Sequence, residues 1–273
     1  MGKPHEIAII AAPRTGTNYF CDTMGEFPEI ANFFELFNPR GAFGLDAFPD
    51  VFEILSENFN FDVKSAEDPE LINAARNNPV DFLDKLGRSV TSLGKDFFTY
   101  KIFPNQISQD FLEEILRDTN RSFILIARRR IDTFISFKKA MQFDTWVNRP
   151  TGNVLIEATY EEFMTWSAAQ DKWYENAVDI LRKHDKNCIF LSYDADLNVP
   201  KETLVEKQYL ALKSLGADAS FPQNIEAPRF SKQDKEIGPF KKISNGEELK
   251  QALMEKKLLR TYALRNAFTN MKP

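Results

Sequence analysis

The chain alternates short apolar runs with longer stretches in which apolar residues return at helical spacing. The first run, Ile7–Ala12, breaks at Pro13, turns through Arg14-Thr15-Gly16-Thr17, and resumes with Tyr19, Phe20 and Met24. This predicts a strand, a tight loop and a helix. Glu29–Phe37 (EIANFFELF), bounded by Pro28 and by Asn38-Pro39, predicts a second strand with Glu35 towards its C-terminal end. Residues 40–94 are helical and irregular in pattern, with Asp68-Pro69 and Asn78-Pro79 starting helices over 68–77 and 79–92. This stretch is expected to be an insertion covering the sheet. Phe97–Phe103 (FFTYKIF), Ser122–Ala127 (SFILIA) and Asn187–Tyr193 (NCIFLSY) complete the strands. Helices are predicted over Ser108–Thr119, Arg130–Met141, Tyr160–His184, Glu202–Leu215 and Glu247–Leu258, the last two separated by a polar loop over 216–245.

Strands alternating with helices imply an α/β chain: a P-loop-like, three-layer fold with a central, mainly parallel sheet of about five strands flanked by helices. Ligands of such sheets sit at the strand C-terminal ends, near the point where strand order reverses. At 273 residues a single domain over 1–273 is expected.

Composition excludes several classes. A formal charge of −5 argues against a nucleic-acid binder, whose affinity rests on neutralising many phosphates. No apolar run approaches the roughly 20 residues of a membrane span. The first strand begins within a few residues of Met1, with no apolar leader, so a cytoplasmic protein is expected. Met-Gly opens like a myristoylation signal, but Glu6 stands where that motif wants Ser or Thr. Two cysteines, Cys21 and Cys188, are too few for a disulfide framework or a zinc site, and no metal is expected.

The first loop carries the candidate chemistry. A strand–loop–helix junction aims backbone N–H groups and the positive helix end at one point, which suits a phosphate or sulfate, and Arg14 adds a fixed charge. Aligned on Gly16, the nucleotide P-loop G-x-x-x-x-G-K-[ST] meets Ala11, Thr17 and Asn18 at its first glycine, lysine and metal hydroxyl. The loop shape survives that comparison and the ATP chemistry does not. The plain alternative is a strand–turn–helix that binds nothing. A second constellation favours an anion: Arg128-Arg129-Arg130 follow a buried-type strand, and Ser136 lies eight residues after Arg128, about two helical turns on. The competing reading is a structural salt-bridge cluster with Asp132 or Glu113.

Taken together these residues resemble a known family. Pro13-Arg14-Thr15-Gly16-Thr17 is similar to the 5′-phosphosulfate loop of the sulfotransferases, P-[KR]-[ST]-G-[ST], and Arg128 with Ser136 matches that family's 3′-phosphate pair. Phe190–Leu197 (FLSYDADL) resembles its late strand and Y-E-D-L-like turn. More loosely, Arg229–Leu253 resembles the end of bacterial carbohydrate sulfotransferases of the trehalose and nodulation-factor kinds.

The resemblance implies 3′-phosphoadenosine 5′-phosphosulfate (PAPS) as donor and no metal. It would set Arg14 by the bridging oxygen, and Thr15, Gly16, Thr17 and Asn18 around the 5′-phosphate. Tyr19 would stack on adenine or serve ordinary helix packing, Tyr193 would lie against the nucleotide, and Arg229 and Lys232 would close over it from the late loop. Many family members take the acceptor's proton with a His after the third strand. Here that place reads Lys101-Ile102-Phe103-Pro104, and neither His5 nor His184 is suitably placed. Glu35 is the candidate base, in an E-x-F context similar to the bacterial carbohydrate enzymes; burial among Phe33, Phe34 and Phe37 is expected to raise its basicity. Its alternative is a pair with a loop cation. Lys101 either assists at the sulfuryl oxygens or forms a salt bridge.

Phe33, Phe34, Phe37, Phe43 and Phe48 are expected to line a pocket for a small-molecule or glycan acceptor, a carbohydrate or glycolipid hydroxyl. The competing functions are a P-loop-like kinase with a degenerate loop and a nucleotide-binding protein without catalysis. A homodimer is one option for the oligomeric state.

Overall fold

The computed structural model describes residues 3–144, 151, 153–230 and 238–265. Five strands, β1 (His5–Ala11), β2 (Ile30–Asn32), β3 (Phe97–Ile102), β4 (Arg121–Ala127) and β5 (Cys188–Ser192), form one sheet in the order β2-β3-β1-β4-β5. Every neighbouring pair is parallel. Nine helices flank them among the described residues: α1 (Thr17–Met24), α2 (Asp50–Phe59), α3 (Pro69–Asn77), α4 (Pro79–Ser92), α5 (Gln109–Arg117), α6 (Arg130–Phe143), α7 (Tyr160–Lys183), α8 (Lys201–Ser214) and α9 (Gly246–Glu255). The fold is the expected α/β arrangement.

The strands are continuous apolar runs because the sheet is covered on both faces. Ala8 and Ile10 of β1 with Phe123 and Leu125 of β4 enter one core with α3 to α5 and α7. Ile7, Ile9, Ile124 and Ile126 enter a second core with α1 and α8. A third, smaller core joins α6, α7 and α9 through Phe134, Phe163 and Leu253.

Two expectations are corrected. The second strand ends at Asn32, not Phe37. Phe33 N–H still donates to Thr99 O (2.9 Å) and Phe34 O still accepts from Lys101 N–H (2.9 Å), but the chain then leaves the sheet and turns at Leu36-Phe37. Its aromatic residues serve the insertion's packing: Phe33 meets Phe48 and Phe98 edge-on, and Phe37 meets Phe82 and Tyr100. Residues 40–94 also contain α2, which the irregular pattern concealed. The helices after it start as predicted, with Asp68 Oδ1 accepting from Glu70 N–H (2.9 Å) and Asn78 Oδ1 from Asp81 N–H (3.5 Å), each followed by proline at the first helical position.

From β1 the chain leaves towards β2, whereas from β3 and β4 it leaves towards β5. Strand order therefore reverses at the C-terminal end of β1, where the first loop lies.

Candidate active site

The loop is held from behind. Ala12 N–H donates to the Tyr174 hydroxyl (2.7 Å), and that hydroxyl donates to Ile126 O (2.9 Å), so α7 ties the ends of β1 and β4 together. The Thr15 hydroxyl donates to Ala12 O (2.7 Å), which turns it into the loop and leaves its backbone N–H as its group for an anion. Arg14 and Gly16 both adopt left-handed backbone conformations, at φ 71° and 86°. For Gly16 this costs little; for Arg14 it is strain of the kind that collects at functional sites. A Cβ on Gly16 would stand 2.6 Å from the Tyr193 ring, so that ring needs glycine beneath it.

Two cations meet over this loop. Arg14 Nε donates to Ser136 Oγ (3.0 Å), and an Arg128 Nη donates to Arg14 O (3.1 Å). The Arg128 guanidinium lies 4.2 Å from the centre of the Tyr193 ring, a cation–π contact that fixes its plane. Its Nε is buried and carries no hydrogen bond among the described residues. Burial, and then the like charge of Arg128, push the Arg14 guanidinium down to a pKa of about 10. An anion placed against this pair would relieve the repulsion. Behind the loop, Thr15, Arg128, Thr133 and Gln170 border a cavity of about 10 Å³, roughly one water molecule in size.

The three consecutive arginines part company. Arg128 turns to the loop. Arg129 pairs with Asp132 (2.7 Å) and Asp194 (3.5 Å), and Arg130 pairs with Asp171 (2.6 Å). The structural reading was thus right for two of them, with Asp132 as one foreseen partner; Glu113 instead pairs with Lys183 (2.6 Å).

On the other side of α1, Lys101 is fully buried. Its Nζ donates to Asn18 Oδ1, lies 3.5 Å from Glu35 Oε1, and sits 5.3 and 5.2 Å from the Phe34 and Phe103 ring centres. Asn18 is therefore spoken for by a lysine ammonium. Glu35 Oε2 accepts from Asn38 Nδ2 (2.8 Å) and Gln106 Nε2 (3.1 Å). Glu35 is not wrapped in phenylalanine as expected. Phe33 and Phe37 are fully buried elsewhere, and the carboxylate faces a lysine and two amides. Of the five expected pocket phenylalanines, Phe34 borders this cluster, and its ring meets Phe230 at 6.1 Å.

The remaining predicted residues are spread around this core. The Tyr19 hydroxyl donates to Val199 O (3.2 Å). Arg229 turns back to α1: its N–H donates to Asp22 Oδ2 (3.1 Å) and its Nε to Asp22 Oδ1. Lys232 lies outside the described residues. His5 bonds Ser122 Oγ (2.7 Å) at the opposite end of the sheet, and His184 faces Glu113 at the end of α7. Burial pushes the Cys21 thiol up to about 11 and the Cys188 thiol to about 12, so neither is a nucleophile at neutral pH. Among the described residues no group of His, Cys, Asp and Glu could hold a metal ion, and no helix is long and apolar enough to cross a membrane.

Sequence reasoning missed Gln106 and Tyr174 and saw Asn38 only as a strand boundary. A lone amide or a tyrosine within a helix has no periodic signature; the turn Phe103-Pro104 was the one local sign that the chain doubles back beside Gln106.

No protein-family model and no curated protein matches this chain. Among solved structures it is similar to the sulfotransferase domain of the Synechococcus PCC 7002 olefin synthase, at 17% identity and a TM-score of 0.47, over 94% of this chain and 88% of that one. It is also similar to a sulfotransferase from Alicyclobacillus acidocaldarius, at 12% identity and a TM-score of 0.43, over 96% of each chain.

Proposed function

We propose that this chain is a sulfotransferase that moves a sulfuryl group from PAPS to an acceptor hydroxyl. One observation carries the reading. At the point where strand order reverses, a left-handed loop, two like-charged arginines, Arg128 bonded to Arg14 O and Arg14 bonded to Ser136, and a carboxylate–lysine pair stand on either side of the N-terminus of α1. The donor bears anions at two places, and the residues present suit both: loop N–H groups with Arg14 for the 5′-phosphosulfate, Arg128 with Ser136 for the 3′-phosphate.

On this reading Arg14 remains protonated at neutral pH and stabilises charge building on the leaving 5′-phosphate. Glu35 takes the acceptor's hydroxyl proton as the oxygen forms its bond to sulfur; the sulfur–oxygen bond to the phosphate breaks, and its electron pair leaves with the phosphate beside Arg14. Lys101, fully buried between Asn18 and Glu35, acts through them by holding the carboxylate and the first turn of α1 in place. The acceptor we assign is a carbohydrate or glycolipid hydroxyl, because the Phe34 ring offers an apolar face next to charged groups, the combination that suits a sugar. Cytoplasmic residence and a single-domain chain belong to the same proposal.

The decisive measurement is thermal stabilisation by adenosine 3′,5′-bisphosphate without metal, set against ATP with magnesium. At 100 times its dissociation constant the bisphosphate adds roughly 2.7 kcal/mol of stability. Stabilisation by magnesium ATP alone would transfer the chain to the kinase reading. Glu35→Gln is expected to lower turnover ~10²–10⁴-fold with bisphosphate binding intact.

A further inference from the structure

The surroundings of Glu35 are asymmetric in a way that the base assignment does not require. Two carboxamides from different segments reach the same carboxylate oxygen: Asn38 Nδ2 at 2.8 Å and Gln106 Nε2 at 3.1 Å, both on Oε2. Each amide is held at its other end by backbone. Asn38 Oδ1 accepts from Arg40 N–H (2.9 Å), and Gln106 Oε1 accepts from Phe103 N–H (2.8 Å). With the amide oxygens committed to N–H donors, the amide nitrogens must face Glu35. Gln106 is buried, and Asn105 at φ 66° bends the turn that delivers it. Its own carbonyl accepts from Arg76 Nε (3.3 Å) of α3, so the insertion steadies the same turn.

We infer that Asn38 and Gln106 are a positioning pair that occupies Glu35 Oε2 and reserves Oε1, the oxygen beside Lys101, as the one that receives the acceptor's proton. An oxygen already accepting two N–H bonds is the poorer place for a proton, since protonation there would sacrifice them. Oε1 has only the lysine, 3.5 Å away. The pair would also fix the direction from which the hydroxyl approaches, because the carboxylate plane cannot rotate without breaking two bonds. This inference rests on Glu35 being the base, and its test separates the two.

The first measurement needs no turnover. In 1H–15N spectra, the side-chain amide signals of Asn38 and Gln106 are expected to move together in Glu35→Gln; unmoved signals overturn the inference whatever the activity. The second is a cycle of Gln106→Met, Glu35→Gln and the double variant, followed as bisphosphate release from PAPS with water as the acceptor. Gln106→Met preserves bulk and removes the N–H donor. It should lower kcat about 10-fold, leave the donor KM unchanged, and move the acid side of the pH–rate profile to higher pH. In the Glu35→Gln background it should cost nothing further. Losses that multiply in the double variant would mean that Gln106 acts on the fold and would overturn the inference. Should Gln106→Met unfold, Asn38→Ala at the half-buried turn after Glu35 runs the same cycle with the same expected outcomes. Failure of the base assignment is visible separately, as normal turnover in Glu35→Gln while the amide signals still move.

Discussion

The two ends of the sheet handle charge in opposite ways. At the N-terminal end Glu6 of β1 and Arg121 of β4 are both buried, and their side chains meet at 2.5 and 3.3 Å. Asp118 adds a contact at 2.7 Å, and the Tyr100 hydroxyl donates to Glu6 at 3.4 Å. Although burial works against it, the Tyr100, Glu6 and Asp118 neighbours hold the Arg121 guanidinium above its ordinary pKa. At the C-terminal end burial, and then the like charge of Arg128, lower the Arg14 pKa, and no carboxylate neighbour among its causes opposes the fall. One end is a closed ion cluster. The other holds a like-charge contact and a left-handed arginine, both of which disfavour the folded chain and both of which an anion would reward. Stability and the proposed function thus fall at opposite ends of the same two strands.

The largest expected effect belongs to the closed end. Arg121→Met takes from buried Glu6 its buried partner, leaving it Lys3 at 3.2 Å and the Tyr100 hydroxyl, and should cost about 3 kcal/mol in urea unfolding. A loss below 1 kcal/mol would show that the cluster is not what holds this end. At the open end the sign should reverse. Arg14→Gly removes the like charge and relieves the left-handed strain, so the fold should gain about 1–2 kcal/mol while turnover falls ~10²–10³-fold. A destabilised Arg14→Gly breaks the comparison.

The pH dependence follows from the same group. The Arg14 pKa in the fold, about 10, lies below the ordinary arginine value of 12.5. Charged Arg14 therefore opposes folding throughout the range below about 10. Between 10 and 12.5 the unfolded chain holds the proton more tightly, and this group's penalty fades as pH rises. The advantage of Arg14→Gly over the wild type should accordingly be full at pH 7–9 and shrink above 10, measured by urea midpoints at each pH.

Arg128→Ala sharpens the contrast at smaller scale. It should weaken bisphosphate binding about 10–100-fold in calorimetry and change stability little, where Arg121→Met does the reverse. The smallest effect expected is that of Tyr174→Phe, about 1–2 kcal/mol of stability, because Ala12 N–H and Ile126 O lose the hydroxyl that joins them. An unchanged unfolding midpoint would remove α7 from the loop's support.

Much of the scaffold could be read from residues alone, since a doubly covered parallel sheet imposes apolar runs and its loops carry the turn residues. The helices at Pro69 and Pro79 announced themselves through their caps. β2 was overextended because Phe33 and Phe37 satisfy a strand pattern equally well when they pack into an adjoining helical layer. At the site, the loop and the arginine run stood out because their chemistry is concentrated in consecutive residues. The Glu35 holder did not, because Asn38 and Gln106 lie 68 residues apart in the chain and only the β2–β3 pairing brings their turns together.

The parting of Arg128, Arg129 and Arg130 has a consequence for how this chain can vary. The three side chains are chemically identical, and their destinations are set solely by the order in which they come off β4 and enter α6. Substitution by lysine would damage each destination separately. A single-residue deletion or insertion between Ala127 and Ile131 would reassign all of them at once, sending a structural arginine to the loop or the loop's arginine to Asp132. This junction should therefore tolerate changes of length less readily than changes of residue type, and a library of natural or synthetic variants should keep its spacing where it abandons its letters.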